Sequence, residues 1–359
     1  MKILSVVGAR PQFVKLAPVH RAAAAAGVDH VIVHTGQHYD PMLSDIFFAD
    51  LRIAAPNAHL GVGSASHGVQ TGLMLSALDA VLAEHQPDWV LAYGDTNSTV
   101  AAALSAVKMH VPVAHLEAGL RSFNRRMPEE HNRVATDHLA DLLLAPTQVA
   151  VDHLAREGLA DRTALVGDVM TDVLFSVRDS LAGTQPSITQ GLDMPQGGYY
   201  LATIHRAENT DDRGRLDQVL SALSRLDKPV LLLAHPRLVA RAHSHGIPIS
   251  RGSLVAREPL GYPELIAAAQ RSAGVITDSG GLQKEAFLLR VPCTTVRSET
   301  EWVETVELGW NVLANTAEEI ASAATRRRPP ETAAMPYGDG RAAVRVISTL
   351  IERAPAPGP

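Results

Sequence analysis

The sequence predicts two consecutive α/β domains, each built on a parallel sheet. Three observations carry that expectation. Short apolar runs alternate with helix-length segments from one end of the chain to the other. The runs are apolar throughout rather than at every second residue, the pattern of strands covered on both faces by helices. The scheme occurs twice over 359 residues, a length that accommodates two sizeable cores. No sequence repeat links the halves; only the pattern recurs.

In the first half the strands fall at Ile3–Val7, His30–His34, Trp89–Tyr93, Val111–Leu116, Leu142–Ala145 and Thr163–Val166. Helices fit between them at Phe13–Ala26, Val69–His85, Thr99–Met109, Pro128–Leu139 and Gln148–Glu157. Asn97 and Ser98 suit a helix cap, and Pro128 followed by Glu129 and Glu130 reads as a helix start. The second half gives strands at Tyr199–Ile204, Pro229–Ala234, Gly274–Thr277 and Pro292–Val296. Its helices lie near Arg215–Arg225, Arg237–Ser244, Pro263–Arg271, Leu282–Leu289 and Ala317–Thr325. The seam falls between Val169 and Gln196, where a helix over Thr171–Ala182 leads into a connector rich in Gly, Pro, Ser and Gln. The expected domains are residues 1–170 and 171–341, with the closing helix over 342–353 open to packing back on the first.

Composition narrows the class. The chain is 46% hydrophobic and 19% charged with mean hydropathy near zero, ordinary for a soluble globular protein. A net charge of −6 and a pI near 6.2 argue against nucleic acid or an anionic membrane as the main partner. A single cysteine, Cys293 after Pro292, excludes internal disulfides and cysteine metal clusters, and fits a reducing cytoplasm. The first apolar run is short and is broken by Arg10-Pro11, unlike a signal peptide. No stretch approaches the roughly 20 apolar residues of a membrane helix. The tail Ala354–Pro359 is expected to be disordered.

In parallel α/β sheets ligands bind at the carboxyl ends of the strands, so the residues after each apolar run carry the functional information. The first strand ends in Gly8-Ala9-Arg10-Pro11-Gln12, with Lys15 one turn on, and lacks a dinucleotide-binding glycine fingerprint. Arg10 and Lys15 fit a phosphate grip, or equally a helix-start Arg-Pro with a solvated lysine. The second ends in Thr35-Gly36-Gln37-His38-Tyr39-Asp40 and the third in Gly94-Asp95-Thr96. Asp95 is either a capping residue or a carboxylate aimed at a ligand. The fourth runs into His115-Leu116-Glu117, then a basic loop from Arg121 to Met127, then Pro128-Glu129-Glu130. Taken alone, that stretch is a surface salt-bridge loop with an acidic first turn. Beside Asp95 it brings carboxylates together, and such pairs divide acid and base roles.

In the second half, strand ends carry His205-Arg206 and His235-Pro236-Arg237. A lone buried histidine is usually structural; two facing arginines are harder to dismiss. Thr277-Asp278-Ser279-Gly280-Gly281 at a strand-to-helix junction lets backbone N–H groups approach a phosphate, and Glu285 one turn later can reach a ribose hydroxyl pair. The plainer reading is a Ser-Gly-Gly turn with a surface glutamate. Arg297, Thr300 and Glu301 close the last strand with more polar groups. Two such edges facing each other would enclose a nucleotide diphosphate, so the residues alone point to a two-domain enzyme acting on a phosphate-bearing substrate.

The blocks GARPQFVK, HTGQHYD, YGDTNST, HLEAGLRS, MPEEHNR, ATIHRAEN, TDSGGLQKEA and RSETEWVE, in this order, resemble the non-hydrolysing UDP-N-acetylglucosamine 2-epimerase family. The resemblance implies two Rossmann-like domains facing a central cleft, the glycosyltransferase-B arrangement. It also implies interconversion of UDP-GlcNAc-type and UDP-ManNAc-type sugars by elimination and re-addition of UDP, with neither cofactor nor metal. Carried over residue by residue, Asp95, Glu117, Glu129 and His205 become the catalytic set. Arg10, His205, Ser279 and Gly280 contact phosphates, Glu285 holds the ribose, and Lys15, His235, Arg237, Gly281, Arg297, Thr300 and Glu301 complete the substrate-binding edge. A UDP-sugar is the expected partner, a homodimer the default assembly, and the cytoplasm the expected compartment.

The chain departs from many members at Ala9 and Gln12, and in the short loop Arg121–Met127. These variants resemble the branch acting on UDP-2,3-diacetamido-2,3-dideoxyglucuronate, so the sugar's substituents stay open. The segment after Asp40 lacks the glutamine-rich stretch of an activator site. A hydrolysing epimerase, a glycosyltransferase on the same fold and a non-catalytic nucleotide-sugar sensor are the rival readings.

Overall fold

The computed structural model describes residues 1–37, 53–181 and 194–354. His38-Tyr39-Asp40 at the second strand end, most of the Gly/Pro/Ser/Gln-rich connector, and the tail from Pro355 lie outside the described residues. Two compact units emerge: Met1–Phe175 with Met335–Pro359, and Ser176–Ala334.

The first unit opens with β1 (Lys2–Val7), α1 (Arg10–Ala25), β2 (Asp29–His34), β3 (Ala58–His59), α2 (His67–His85), β4 (Trp89–Tyr93) and α3 (Asn97–Lys108). It continues through β5 (Val113–Leu116), α4 (Pro128–Leu139), β6 (Leu142–Ala145), α5 (Gln148–Arg156) and β7 (Thr163–Leu165) to α6 (Val169–Ser180), within which the chain passes from the first unit to the second. Its seven strands run in the order β3-β2-β1-β4-β5-β6-β7, every pair parallel. Helices cover both faces: Phe13, Leu16 and Val19 of α1 pack on one, Met74, Leu78 and Leu82 of α2 on the other.

The second unit contains β8 (Tyr200–Thr203), α7 (Ala207–Thr210), α8 (Arg213–Ser224), β9 (Val230–Leu233), α9 (Pro236–His245), β10 (Leu254–Arg257) and α10 (Tyr262–Arg271). After these come β11 (Gly274–Thr277), α11 (Gly280–Leu288), β12 (Cys293–Thr295), α12 (Val303–Glu307), β13 (Asn311–Leu313) and α13 (Ala317–Ala324). Its sheet, also parallel, runs β10-β9-β8-β11-β12-β13. The last helix, α14 (Ala342–Glu352), belongs to the first unit. Asp172 accepts hydrogen bonds from the Ala342 and Ala343 amides at 2.9 and 2.8 Å, and Trp89 Nε1 donates to the Leu350 carbonyl at 3.1 Å. Val346, Ile347 and Leu350 thereby join the core of Ile3, Leu16 and Trp89.

β3, β10 and β13 are additions to the expected strands, and each is a sheet edge. An edge strand is held by a ladder on one side only and does not need the uninterrupted apolar run that marks a central strand. In both sheets the strand order reverses beside the first strand, between β1 and β4 and between β8 and β11. Such switch points open a crevice at the carboxyl ends.

Candidate active site

At the first switch point the backbone is packed too closely for a side chain. A Cβ on Gly8 would collide with Thr35 Oγ1 and Ser98 Oγ, which hydrogen-bond each other at 2.8 Å. Gln12 ties the crevice together: its Oε1 accepts from the Gly8 and Ala9 amides at 2.8 and 3.0 Å, and its Nε2 donates to the Tyr93 carbonyl at 2.8 Å. The ends of β1 and β4 are thus held by one buried amide side chain. Arg10 opens α1, but its side chain lies outside the described part of the structure.

Pairing of Tyr93 with Leu116 across β4 and β5 sets Gly94-Asp95 beside Glu117. Each carboxylate has its own cation. Glu117 pairs with Lys15, and Asp95 pairs with Arg133 of α4. Burial works to lower the Lys15 pKa, but the Glu117 carboxylate, then Asp95 and Asp168, outweigh it and hold the ammonium above its ordinary value. Glu117 has a φ of +76°, a left-handed conformation that costs a non-glycine residue about 1–3 kcal/mol. It persists because the Glu117 and Ala118 amides both bond the Leu144 carbonyl of β6, at 3.1 and 3.3 Å.

Behind this pair sits a second network. His115 is fully buried, with Nδ1 at 2.6 Å from Asp137 and Nε2 at 2.7 Å from the Gly94 carbonyl. It therefore fixes the turn that presents Asp95. Asp137 also meets Arg121 at 2.7 Å, and Arg121 meets Glu157 at 2.8 Å. Glu130 accepts from the Ser122 amide and hydroxyl and the Phe123 amide at 2.8–2.9 Å, and pairs with Arg133 at 3.1 Å. Burial pushes the Glu130 carboxyl up, yet these donors and Arg133 hold it below the ordinary range. Glu129, its neighbour in the first turn of α4, is half-buried and makes no ion pair among the described residues.

The second switch point is organised by one carboxylate. Thr203 pairs with Thr277 across β8 and β11, which brings Ile204-His205 beside Asp278-Ser279. Asp278 is fully buried and accepts from the His205 amide at 3.1 Å, the Arg206 amide at 2.9 Å and Asn209 Nδ2 at 3.0 Å. His205 Nδ1 lies 3.1 Å away. Burial raises the Asp278 pKa, but the His205 and Asn209 hydrogen bonds and the Arg206 amide reverse it, so the carboxyl stays below its ordinary value. With Nδ1 facing a carboxylate, any proton exchange by His205 would use Nε2.

Ser279 caps α11 through its hydroxyl, which accepts from the Leu282 amide at 3.4 Å, and Gly280 and Gly281 form the helix's first turn. A Cβ on Gly280 would run into Glu301 Oε1, the flexible end of a side chain, so a larger residue here would have to displace Glu301 at the open amide end. Helix N-termini with bare amides favour anions. Glu301 pairs with Arg297 at 2.9 Å, Thr300 donates to Gln283 at 2.6 Å, and Glu285 accepts from the Tyr262 hydroxyl at 2.8 Å. His235 caps α9 through its ring, accepting from the Arg237 amide at 3.1 Å, and its ring lies 5.5 Å from that of His205. Arg237 pairs with Asp211 at 2.7 Å on an exposed surface.

The structure thus brings Asp95, Glu117 and Lys15 together in the first unit, and His205, His235 and Ser279 at β-strand ends of the second. Sequence reasoning gave no role of their own to Arg133, Glu130, the His115–Asp137 pair or Asp278, although it placed Glu130 at a helix start and His115 at a strand end. The spacing of Arg133 three residues after Glu130 was the available signal for the first two.

Comparison with known proteins bears on what these edges do. The family model described as UDP-N-acetylglucosamine 2-epimerase matches residues 20–351. A Pseudomonas aeruginosa protein named UDP-2,3-diacetamido-2,3-dideoxy-D-glucuronate 2-epimerase is 45% identical, over 98% of this chain and 99% of its own. A UDP-N-acetylglucosamine 2-epimerase homolog from Methanococcus maripaludis is 42% identical at the same coverages. The solved structure of Methanocaldococcus jannaschii UDP-GlcNAc 2-epimerase in complex with UDP-GlcNAc and UDP is similar with a TM-score of 0.81 and 37% identity, covering 98% of this chain and 100% of that one.

Proposed function

The chain belongs to the UDP-N-acetylglucosamine 2-epimerase family, and within that isomerase family we propose that it inverts C2 of a UDP-linked 2-acetamido sugar of the GlcNAc type without hydrolysing it. The C2 proton is too weakly acidic for direct exchange without an electron sink. Loss of UDP supplies one: a carboxylate takes the C2 proton, the C1–O bond breaks, and UDP departs with its electron pair, leaving a C1=C2 glycal. The proton returns to C2 from the other face and UDP adds back at C1. Atoms and electrons balance without an external oxidant.

The observation that carries this reading is the pair Asp95 and Glu117 at neighbouring strand ends, each beside its own cation. Asp95, Glu117 and Glu129 handle the proton as a coupled set, so no one of them is named the base. His205, oriented by Asp278, faces the departing diphosphate and exchanges a proton with it. The α11 amides with Ser279 and Gly280 bind phosphate, supported by Arg10, Lys15, Arg297, Thr300, Glu301, His235, Arg237 and Gly281, while Glu285 takes the ribose. The protein works in the cytoplasm as a homodimer; sedimentation velocity checks the assembly.

Incubating UDP-N-acetylglucosamine with the protein in heavy water tests the reading. Deuterium at C2 with no accumulating free UDP is the expected result; stoichiometric UDP and reducing sugar would make it a hydrolysing epimerase. The identity with the Pseudomonas protein favours a second reading, in which the sugar is UDP-2,3-diacetamido-2,3-dideoxyglucuronate or a relative of it.

A further inference from the structure

The loop between β5 and α4 carries two arginines that nothing so far has used. Its neighbours are spoken for: Arg121 meets Asp137 and Glu157, and Arg133 meets Asp95 and Glu130. Arg125 and Arg126 make no ion pair among the described residues. Their backbone is nevertheless held in place. The Arg126 amide donates to Asn124 Oδ1 at 3.1 Å, His131 Nε2 donates to the Arg125 carbonyl at 2.9 Å, and Glu130 fastens the loop's start through Ser122 and Phe123.

Both arginines line a cavity of about 610 Å³ within the first unit. His67, Asn97, His131 and Asn132 are among its other walls, and no Asp or Glu is. The first turns of α2, α3 and α4 all reach it, and their amide ends add to the positive field of the arginines. Its inner wall adjoins Asp95, since Asn132 Nδ2 donates to the Asp95 backbone carbonyl at 2.9 Å. A concave surface with two exposed arginines on an anchored backbone, and no Asp or Glu in its lining, is matched to a small planar anion, which guanidinium groups bind in a bidentate fashion.

We propose that this cavity is the subsite for a carboxylate on the sugar, and that Arg125 and Arg126 set a preference for a UDP-linked sugar acid over its neutral counterpart. The inference rests on the 2-epimerase reading above and deepens it. The two arginines face the C6 substituent and contribute to substrate selection, with Asn97 and Asn132 lining the same wall. Because both side chains are exposed, salt weakens the preference.

The test compares C2 deuterium exchange for UDP-N-acetylglucosamine and its C6 carboxylic acid in the parent, Arg125→Gln/Arg126→Gln, and Arg125→Lys/Arg126→Lys proteins. The parent's kcat/KM should favour the acid by roughly tenfold or more, the Gln double variant should bring the two sugars near parity, and the Lys variant should keep part of the preference. An equal loss for both sugars, or a weakened affinity for UDP alone, makes these arginines contacts of the diphosphate and overturns the proposal while the 2-epimerase reading stands. A parent without preference overturns it as well. Exchange with neither sugar overturns both.

Discussion

The carboxyl edge of the first sheet is built from side-chain ion pairs, Lys15 with Glu117 and Arg133 with Asp95. The equivalent edge of the second is built from backbone amides gathered around one buried carboxylate, Asp278. Strand order and switch point are alike in the two, so topology does not account for the difference. Titratable groups that must gain and lose a proton need neighbours that balance either state, and paired carboxylates with cations supply them. A fixed diphosphate needs donors that never titrate, and amides at a helix start supply those. On the reaction proposed above, one architecture would provide a proton-handling edge and an anion-holding edge by changing what stands at its strand ends.

The largest expected effect tests the first edge. Asp95→Asn keeps the shape of the side chain but removes the charge that Arg133 balances, and should lower turnover by about 10²–10⁴-fold while UDP still binds. Retained turnover would remove Asp95 from the proton-handling set. Next comes the second edge. Asp278→Ala leaves the His205 and Arg206 amides and Asn209 without their acceptor, which should cost about 2–4 kcal/mol of stability in denaturant titration. A loss under about 1 kcal/mol would mean the edge does not depend on that carboxylate. A smaller effect is expected at Gly280. Its replacement by Ala meets the flexible end of Glu301, so the protein should fold normally and bind UDP about tenfold more weakly by calorimetry. Unchanged affinity would detach the α11 start from phosphate binding.

A pH effect singles out two buried histidines of the first unit. His30 and His34 lie in the first unit, and their pKa values are lowered to about 4. Burial is the main cause for each, followed by the neighbouring His20 and His59 respectively. Between pH 6.5 and 4 the unfolded chain binds protons that the folded one refuses, so stability present above pH 6.5 is lost as the pH falls toward 4. The loss reaches about 1.4 kcal/mol per pH unit for each histidine. Glu130 and Asp278, held low, begin to contribute their losses as the pH nears the ordinary carboxylate values of 4.5 and 3.8, and the losses are complete only on further acidification. His34→Asn should therefore reduce the slope between pH 6.5 and 4; an unaltered slope would place the sensitivity elsewhere.

What the sequence discloses follows from which interactions are local. Central strands such as Trp89–Tyr93 and Leu142–Ala145 are buried on both faces and show as apolar runs; the edge strands Ala58–His59 and Leu254–Arg257 are not and do not. Strand-end residues were readable for the same reason: they are where a run stops. Glu129 and Glu130 are adjacent and look equivalent, yet successive helical residues point about 100° apart, and only Glu130 turns back to hold the loop. Asp278 was hidden because its partners, His205 and Asn209, lie about 70 residues away. The same holds for His115 and Asp137, joined across two elements. Family resemblance supplied the reaction, which no spacing of residues could.

The division of labour is tested most directly by Glu117→Gln, with C2 deuterium incorporation and UDP affinity measured on one preparation. The expected result is loss of exchange by about 10²–10⁴-fold with UDP affinity within about threefold of the parent. Exchange that survives the substitution, or UDP binding that falls in step with it, would contradict a first edge that moves protons and a second that holds the anion.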